Sequence, residues 1–86
     1  MVVWSIGSGG KNASRGHCLN LSESGAGAIV AGTWLPGQVV GIELVLRTEP
    51  VVVQARLRHR NSLHCGFEFL AASDTVREQL RQACSA

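Results

Sequence analysis

Hydrophobic and polar residues alternate with period two through three successive stretches of the chain. Within residues 38–47, Val40, Ile42, Leu44 and Leu46 share one face. Within residues 51–60, Val51, Val53, Ala55 and Leu57 alternate with Val52, Gln54, Arg56 and Arg58. Within residues 62–70, Leu63, Cys65, Phe67 and Phe69 alternate with His64, Gly66 and Glu68. Successive side chains on a strand point to opposite sides, so each stretch predicts a strand with one buried face. Thr48-Glu49-Pro50 and Asn61-Ser62 lie between them and predict hairpin turns, hence antiparallel pairing.

The first half carries shorter versions of the pattern. Residues 2–6 form an apolar run that stops at Gly7-Ser8-Gly9-Gly10. Residues 15–22 alternate, with Gly16, Cys18 and Asn20 on one face and His17, Leu19 and Leu21 on the other. Residues 26–31 are apolar, and Gly32 and the turn dipeptide Pro36-Gly37 follow. After Leu70 the period changes. Ser73 and Asp74 are good helix caps, and Val76, Leu80, Ala83 and Cys84 recur at helical spacing opposite Arg77, Glu78, Arg81 and Gln82. The pattern predicts an all-β fold: six antiparallel strands in a closed or nearly closed barrel, then one amphipathic helix over residues 74–84. The whole reads as a single domain over residues 1–86.

Composition narrows the function more than it changes the fold. With 45 % hydrophobic and 16 % charged residues, the chain reads as an ordinary globular domain. A net charge of +2 is too small to select nucleic acid or an anionic membrane. No apolar run approaches the ~18 residues a membrane helix needs, so no membrane insertion is expected. The first residues form no basic leader, and the three cysteines are an odd number. Both features predict a cytoplasmic chain with reduced thiols, Cys65 and Cys84 serving as small core residues.

Several chemistries find no support. The segment around Gly7, Gly10 and Lys11 imitates a phosphate loop, but Ser5 replaces the first glycine and Asn12 the final hydroxyl residue. It reads as a hairpin tip. His17, Cys18, His59, His64 and Cys65 lack metal-ligand spacing, and neighbours on a strand face opposite ways, so neither a metal nor a cofactor is expected. No nucleophile elbow or triad pattern appears, and no catalytic residue is assigned. Two features remain. Arg56, Arg58 and Arg60, with Arg47 nearby, share an outer face that suits either phosphate or plain solvent. Asn20-Leu21-Ser22-Glu23-Ser24-Gly25 ends a strand with short polar side chains and a glycine. Such groups cap a turn, and they can equally offer donors and acceptors to a nucleobase edge.

Asn20-x-Ser22-x-x-Gly25 resembles the (D/N)-x-S-x-x-G motif of PilZ domains. The similarity continues through Ala26-Gly27-Ala28-Ile29, Leu35-Pro36-Gly37-Gln38, Ala55-Arg56-Leu57-Arg58 and Cys65-Gly66-Phe67-Glu68-Phe69, and ends in the helix after Ser73. It covers nearly the whole chain from Arg15. The resemblance implies a six-stranded PilZ-like (split) barrel that binds cyclic di-GMP, with Asn20, Ser22 and Gly25 on the ligand and Arg58 and Gly66 as wall residues. That family also uses an RxxxR arm ahead of its first strand. Here the first strand begins at Val2, so the arm is expected to be missing. Arg56 and Arg60 have the spacing but follow the loop on a strand. Arg77 and Arg81 have it on the helix. Lys11 and Arg15 sit at the first hairpin, Lys11 roughly 30 Å from Asn20 along an extended path. The expectation is therefore a bacterial regulatory module in cyclic di-GMP signalling whose nucleotide binding is weak or lost. Two alternatives stand beside it. One is an adaptor contacting a pilus, motility or secretion protein. The other is an unrelated nucleic-acid-binding barrel, which the scarcity of aromatics disfavours, so no DNA partner is expected.

Overall fold

The computed structural model describes residues 1–6, 12–46 and 49–84, with the backbone alone at Cys84. The expected glycine turn at residues 7–10, Lys11, Arg47, Thr48 and the Cys84 side chain lie outside the described residues. Six strands follow in order: β1 (Val2–Ser5), β2 (Ala13–Leu21), β3 (Gly25–Val30), β4 (Val39–Leu46), β5 (Glu49–Asn61) and β6 (His64–Phe69). One helix, α1 (Asp74–Cys84), ends the chain. The strands close into a barrel in the order β1-β2-β3-β6-β5-β4, all pairs antiparallel, with β1 bridging β2 and β4. Closure leaves this small sheet without a full-length free edge.

The period-two pattern decides what lies inside. Val40, Ile42 and Leu44 on β4, and Val51, Val53, Ala55 and Leu57 on β5, all fill the barrel. Cys65 and Phe67 on β6 join them, with Ala26, Ala28 and Val30 on β3. Each fully buried Val, Leu or Ile contributes roughly 1.5–3 kcal/mol against solvent exposure, and these side chains carry most of the fold. The two ends are closed differently. At one, Ser73 caps α1 by accepting the Val76 N–H at 3.2 Å, and Leu80 inserts into the core with no exposed surface. At the other, the buried Trp34 donates its indole N–H to Ala31 O at 3.0 Å.

Four local expectations change. Glu49 and Pro50 are not turn residues, because they already pair with Leu46 and Val45 in β5. Proline is tolerated there because β6 pairs with β5 only from Ala55 onward. The second hairpin turns at Ser62–Leu63 rather than Asn61-Ser62, with Ser62 at φ 58°. In β2 the register slips by one residue between Cys18 and Asn20, so Leu21 returns to the inner face with Cys18 while Leu19 and Asn20 both face outward. A matching slip between Leu57 and His59 breaks the arginine stripe. Arg58 and His59 are exposed, whereas Arg60 turns to the barrel end and donates to Trp34 O at 2.9 Å and Ser62 O at 2.8 Å.

Candidate functional site

The two slips fall at the same level of the sheet. Asn20 on β2 pairs with Gly27 on β3, Gly27 pairs with Gly66 on β6, and Gly66 pairs with His59 on β5. One row across four strands therefore reads Asn, Gly, Gly, His. Each bulge puts two outward residues opposite one glycine, and the glycines have no side chain to fill the space between. The result is an open cleft of about 570 Å³ whose floor is Gly27 and Gly66.

The side chains at its rim lie down on that floor. The Asn20 amide covers Gly27, and a Cβ at Gly27 would come within 2.8 Å of Asn20 Oδ1. That oxygen accepts the Gly27 N–H at 2.9 Å, supplying a partner where the slip interrupts the ladder. The Nδ2 donors of Asn20 have no partner among the described residues. On the other side the His59 ring covers Gly66 so closely that a Cβ there would collide with it.

Ser22 and Gly25 build the loop at the end of the cleft. Ser22 Oγ accepts the N–H of Ser24 at 3.3 Å and of Gly25 at 3.2 Å, and lies 3.1 Å from Ser24 Oγ. The Ser22 N–H donates to Gly25 O at 2.9 Å. Gly25 is fixed by space, since a Cβ would meet the carbonyl oxygen of Phe67 on β6. Ser22 is thus first the knot of a turn, and its hydroxyl is shared with backbone before it meets any ligand.

The charges at the rim are nearly balanced. Arg58 stands 3.6 Å from Glu68, both half exposed, a pairing too solvated to fix either side chain firmly. Arg56 lies opposite Glu68 in the sheet. The loop's Glu23 accepts a hydrogen bond from Arg81 Nε at 3.2 Å, and Glu78 accepts one from Arg81 Nη1 at 2.6 Å. These contacts, Glu23 first, raise the Arg81 pKa above its ordinary value.

All five residues expected at a ligand site, Asn20, Ser22, Gly25, Arg58 and Gly66, line this one cleft. Of the basic pairs set aside from the sequence, Arg15 lies on β2 opposite Val2 of β1 and does not line the cleft. Arg77 and Arg81 do sit on α1, yet the helix brings both beside the Ser22–Gly25 loop. Sequence reading missed Gly27 and His59. The break in alternation after Leu57 was the available trace of His59. Among the described residues no group of three His, Cys, Asp or Glu side chains could hold a metal ion.

A family model, the PilZ domain, matches residues 2–86. The chain belongs to the PilZ domain family. PilZ domains are cyclic di-GMP receptor domains, binding and regulatory modules in that signalling system. No curated protein and no solved structure matches the chain. No helix among the described residues of this PilZ domain is long and apolar enough to cross a membrane.

Proposed function

We propose that this PilZ domain works as a bacterial cytoplasmic module that receives cyclic di-GMP in the cleft over Gly27 and Gly66. The observation that carries this reading is the Asn20–Gly27–Gly66–His59 row. The cleft left between the Asn20 amide and the His59 ring has room for a flat ring system, Asn20 Nδ2 offers hydrogen-bond donors to a guanine edge, and the His59 imidazole offers a face for stacking. Ser22 and Gly25 hold the loop in shape, and Arg58 brings a guanidinium to the cleft wall. No enzyme chemistry is part of this reading, and no cofactor is assigned beyond the nucleotide as ligand.

The 86 residues place no arginine pair ahead of β1. Two charged donors contribute roughly 3–6 kcal/mol to a bound phosphate. On their own, these 86 residues are therefore expected to bind roughly two to four decades more weakly than a cleft with such an arm. Calorimetry with cyclic di-GMP on the purified chain tests the reading. Saturable heat is expected, and Asn20→Ala with Ser22→Ala should abolish it while the circular dichroism spectrum is retained.

A second reading is favoured by the outer face of β4 and β5, where Val45 and Val52 are 66 % and 55 % exposed beside Pro50. An adaptor that meets a pilus, motility or secretion protein would use such a face. A flat titration of folded protein at millimolar nucleotide moves the assignment there.

A further inference from the structure

The Ser22–Gly25 loop has two sides. One side borders the glycine-floored cleft. The other borders a smaller cavity of about 230 Å³ lined by Glu23, Ser24, Phe69, Leu70, Ala72 and Arg77. Ser24 belongs to both, so the two spaces meet at a single residue. The Phe69 N–H donates to Ser24 O at 2.8 Å and holds the loop against β6 at this point. Arg77 makes no ion pair among the described residues. Arg81, one helical turn on, is held by two carboxylates, Glu23 at 3.2 Å from Nε and Glu78 at 2.6 Å from Nη1.

Resting on the reading of this loop as a nucleotide cradle, we infer that the loop–helix cavity is a phosphate subsite of Ser24, Arg77 and Arg81, and that Glu23 holds the place of the anion while the site is empty. A guanidinium presents the same fork of donors to a carboxylate and to a phosphate, so the two compete for Arg81. The Glu23–Arg81 pair is exposed on both sides, 56 % and 60 %, and exchanges readily with an incoming anion. Arg77 and Ser24 line the cavity, and Arg81 reaches its edge through Glu23, so release of Glu23 leaves Arg81, still bonded to Glu78 at 2.6 Å, next to Arg77 beside the cavity. A cyclic dinucleotide carries two phosphates in one ring. With a guanine seated in the cleft, one of these phosphates reaches across Ser24. Glu23 thereby acts as an internal competitor that sets how much ligand is needed.

The test uses the isotope-labelled 86-residue chain and nuclear magnetic resonance, with inorganic pyrophosphate as the first probe. The Ser24 amide and the Nε–H signals of Arg77 and Arg81 are expected to move, and the Ser24 response should vanish in the Arg77→Gln, Arg81→Gln double variant. Glu23→Gln should bind pyrophosphate roughly two- to fivefold more tightly. The same spectra show whether each variant is folded. No movement at Ser24 and Arg77, or unchanged or weaker binding by folded Glu23→Gln, overturns the subsite. Cyclic di-GMP is the second probe. Movement at Asn20, Gly27 and Gly66 without Ser24 or Arg77 removes the subsite and leaves the cleft reading standing. A pyrophosphate response without any response to cyclic di-GMP leaves an anion subsite and removes the cleft reading.

Discussion

Two regions of the barrel use the same device for different ends. On one wall, Trp4 of β1 lies across Gly41 of its partner β4, and a Cβ at Gly41 would collide with the indole. On the other wall, His59 of β5 lies across Gly66 of β6 in the same manner. In both, a ring takes the space that the glycine leaves empty. The backbone differs. Around Gly41 the β1–β4 register is unbroken, so the indole seals the wall with apolar surface. Around Gly66 the register slips on β5, and a second slip on β2 faces it beyond Gly27. Two adjacent glycines then share polar covers, Asn20 and His59, and an open cleft remains between them. One extra residue in each flanking strand turns a sealed surface into a receptive one.

Substitutions that add a single methyl group separate these roles. The largest effect is expected at Gly25, where the new Cβ meets backbone rather than a movable side chain. Gly25→Ala should destabilise the domain by about 3 kcal/mol or more, read as the midpoint of urea unfolding, because β3 and β6 must part to admit it. A change below about 1 kcal/mol would show that the loop–β6 contact gives way easily.

Smaller and opposite outcomes are expected from Gly41→Ala and Gly66→Ala. At Gly41 the methyl lifts Trp4 from the wall and should cost about 1–2 kcal/mol of stability, with nucleotide binding unchanged. At Gly66 the methyl lifts His59 into the cleft. Stability should fall by less than about 1 kcal/mol, and cyclic di-GMP binding should weaken by roughly tenfold or more, since ring stacking contributes about 1–3 kcal/mol per base. Equal effects of both substitutions on binding would erase the distinction between the two walls.

The smallest effect concerns the inner side of the cleft wall. Cys65 is buried beneath it, and burial pushes its thiol pKa above the ordinary 9.0, with Arg60 pulling weakly the other way. The folded state therefore keeps the proton to higher pH than the unfolded chain does. The stability tied to this thiol is complete below pH 9.0 and declines as pH rises through the folded value. Unfolding midpoints compared between wild type and Cys65→Ala across pH 7–11 should converge at the alkaline end. In native protein at pH 8, a thiol reagent should label the half-buried Cys18 before Cys65.

Much of this protein is written in the period of its hydrophobic residues. Alternation through residues 38–70, the shorter apolar runs within residues 2–31 and the change to helical spacing after Leu70 specify six strands and a helix, because a strand must put alternate residues on one side of a core. The Asn20-x-Ser22-x-x-Gly25 motif and the glycine at residue 66 were also legible, as residue types at fixed spacing. Three things were not. The opposing slips at Leu19 and Arg58 required knowing which residues pair across strands, and a slip moves every later side chain to the other face. The pairing of Gly27 with Gly66 joins residues far apart in sequence. The arrival of Arg77 and Arg81 beside Glu23 depends on where α1 docks once Leu80 is buried. Local period fixes which elements form, since it is enforced by burial along each segment alone. The register between strands and the seat of the helix fix the site, since they are settled only when all the segments compete for one core.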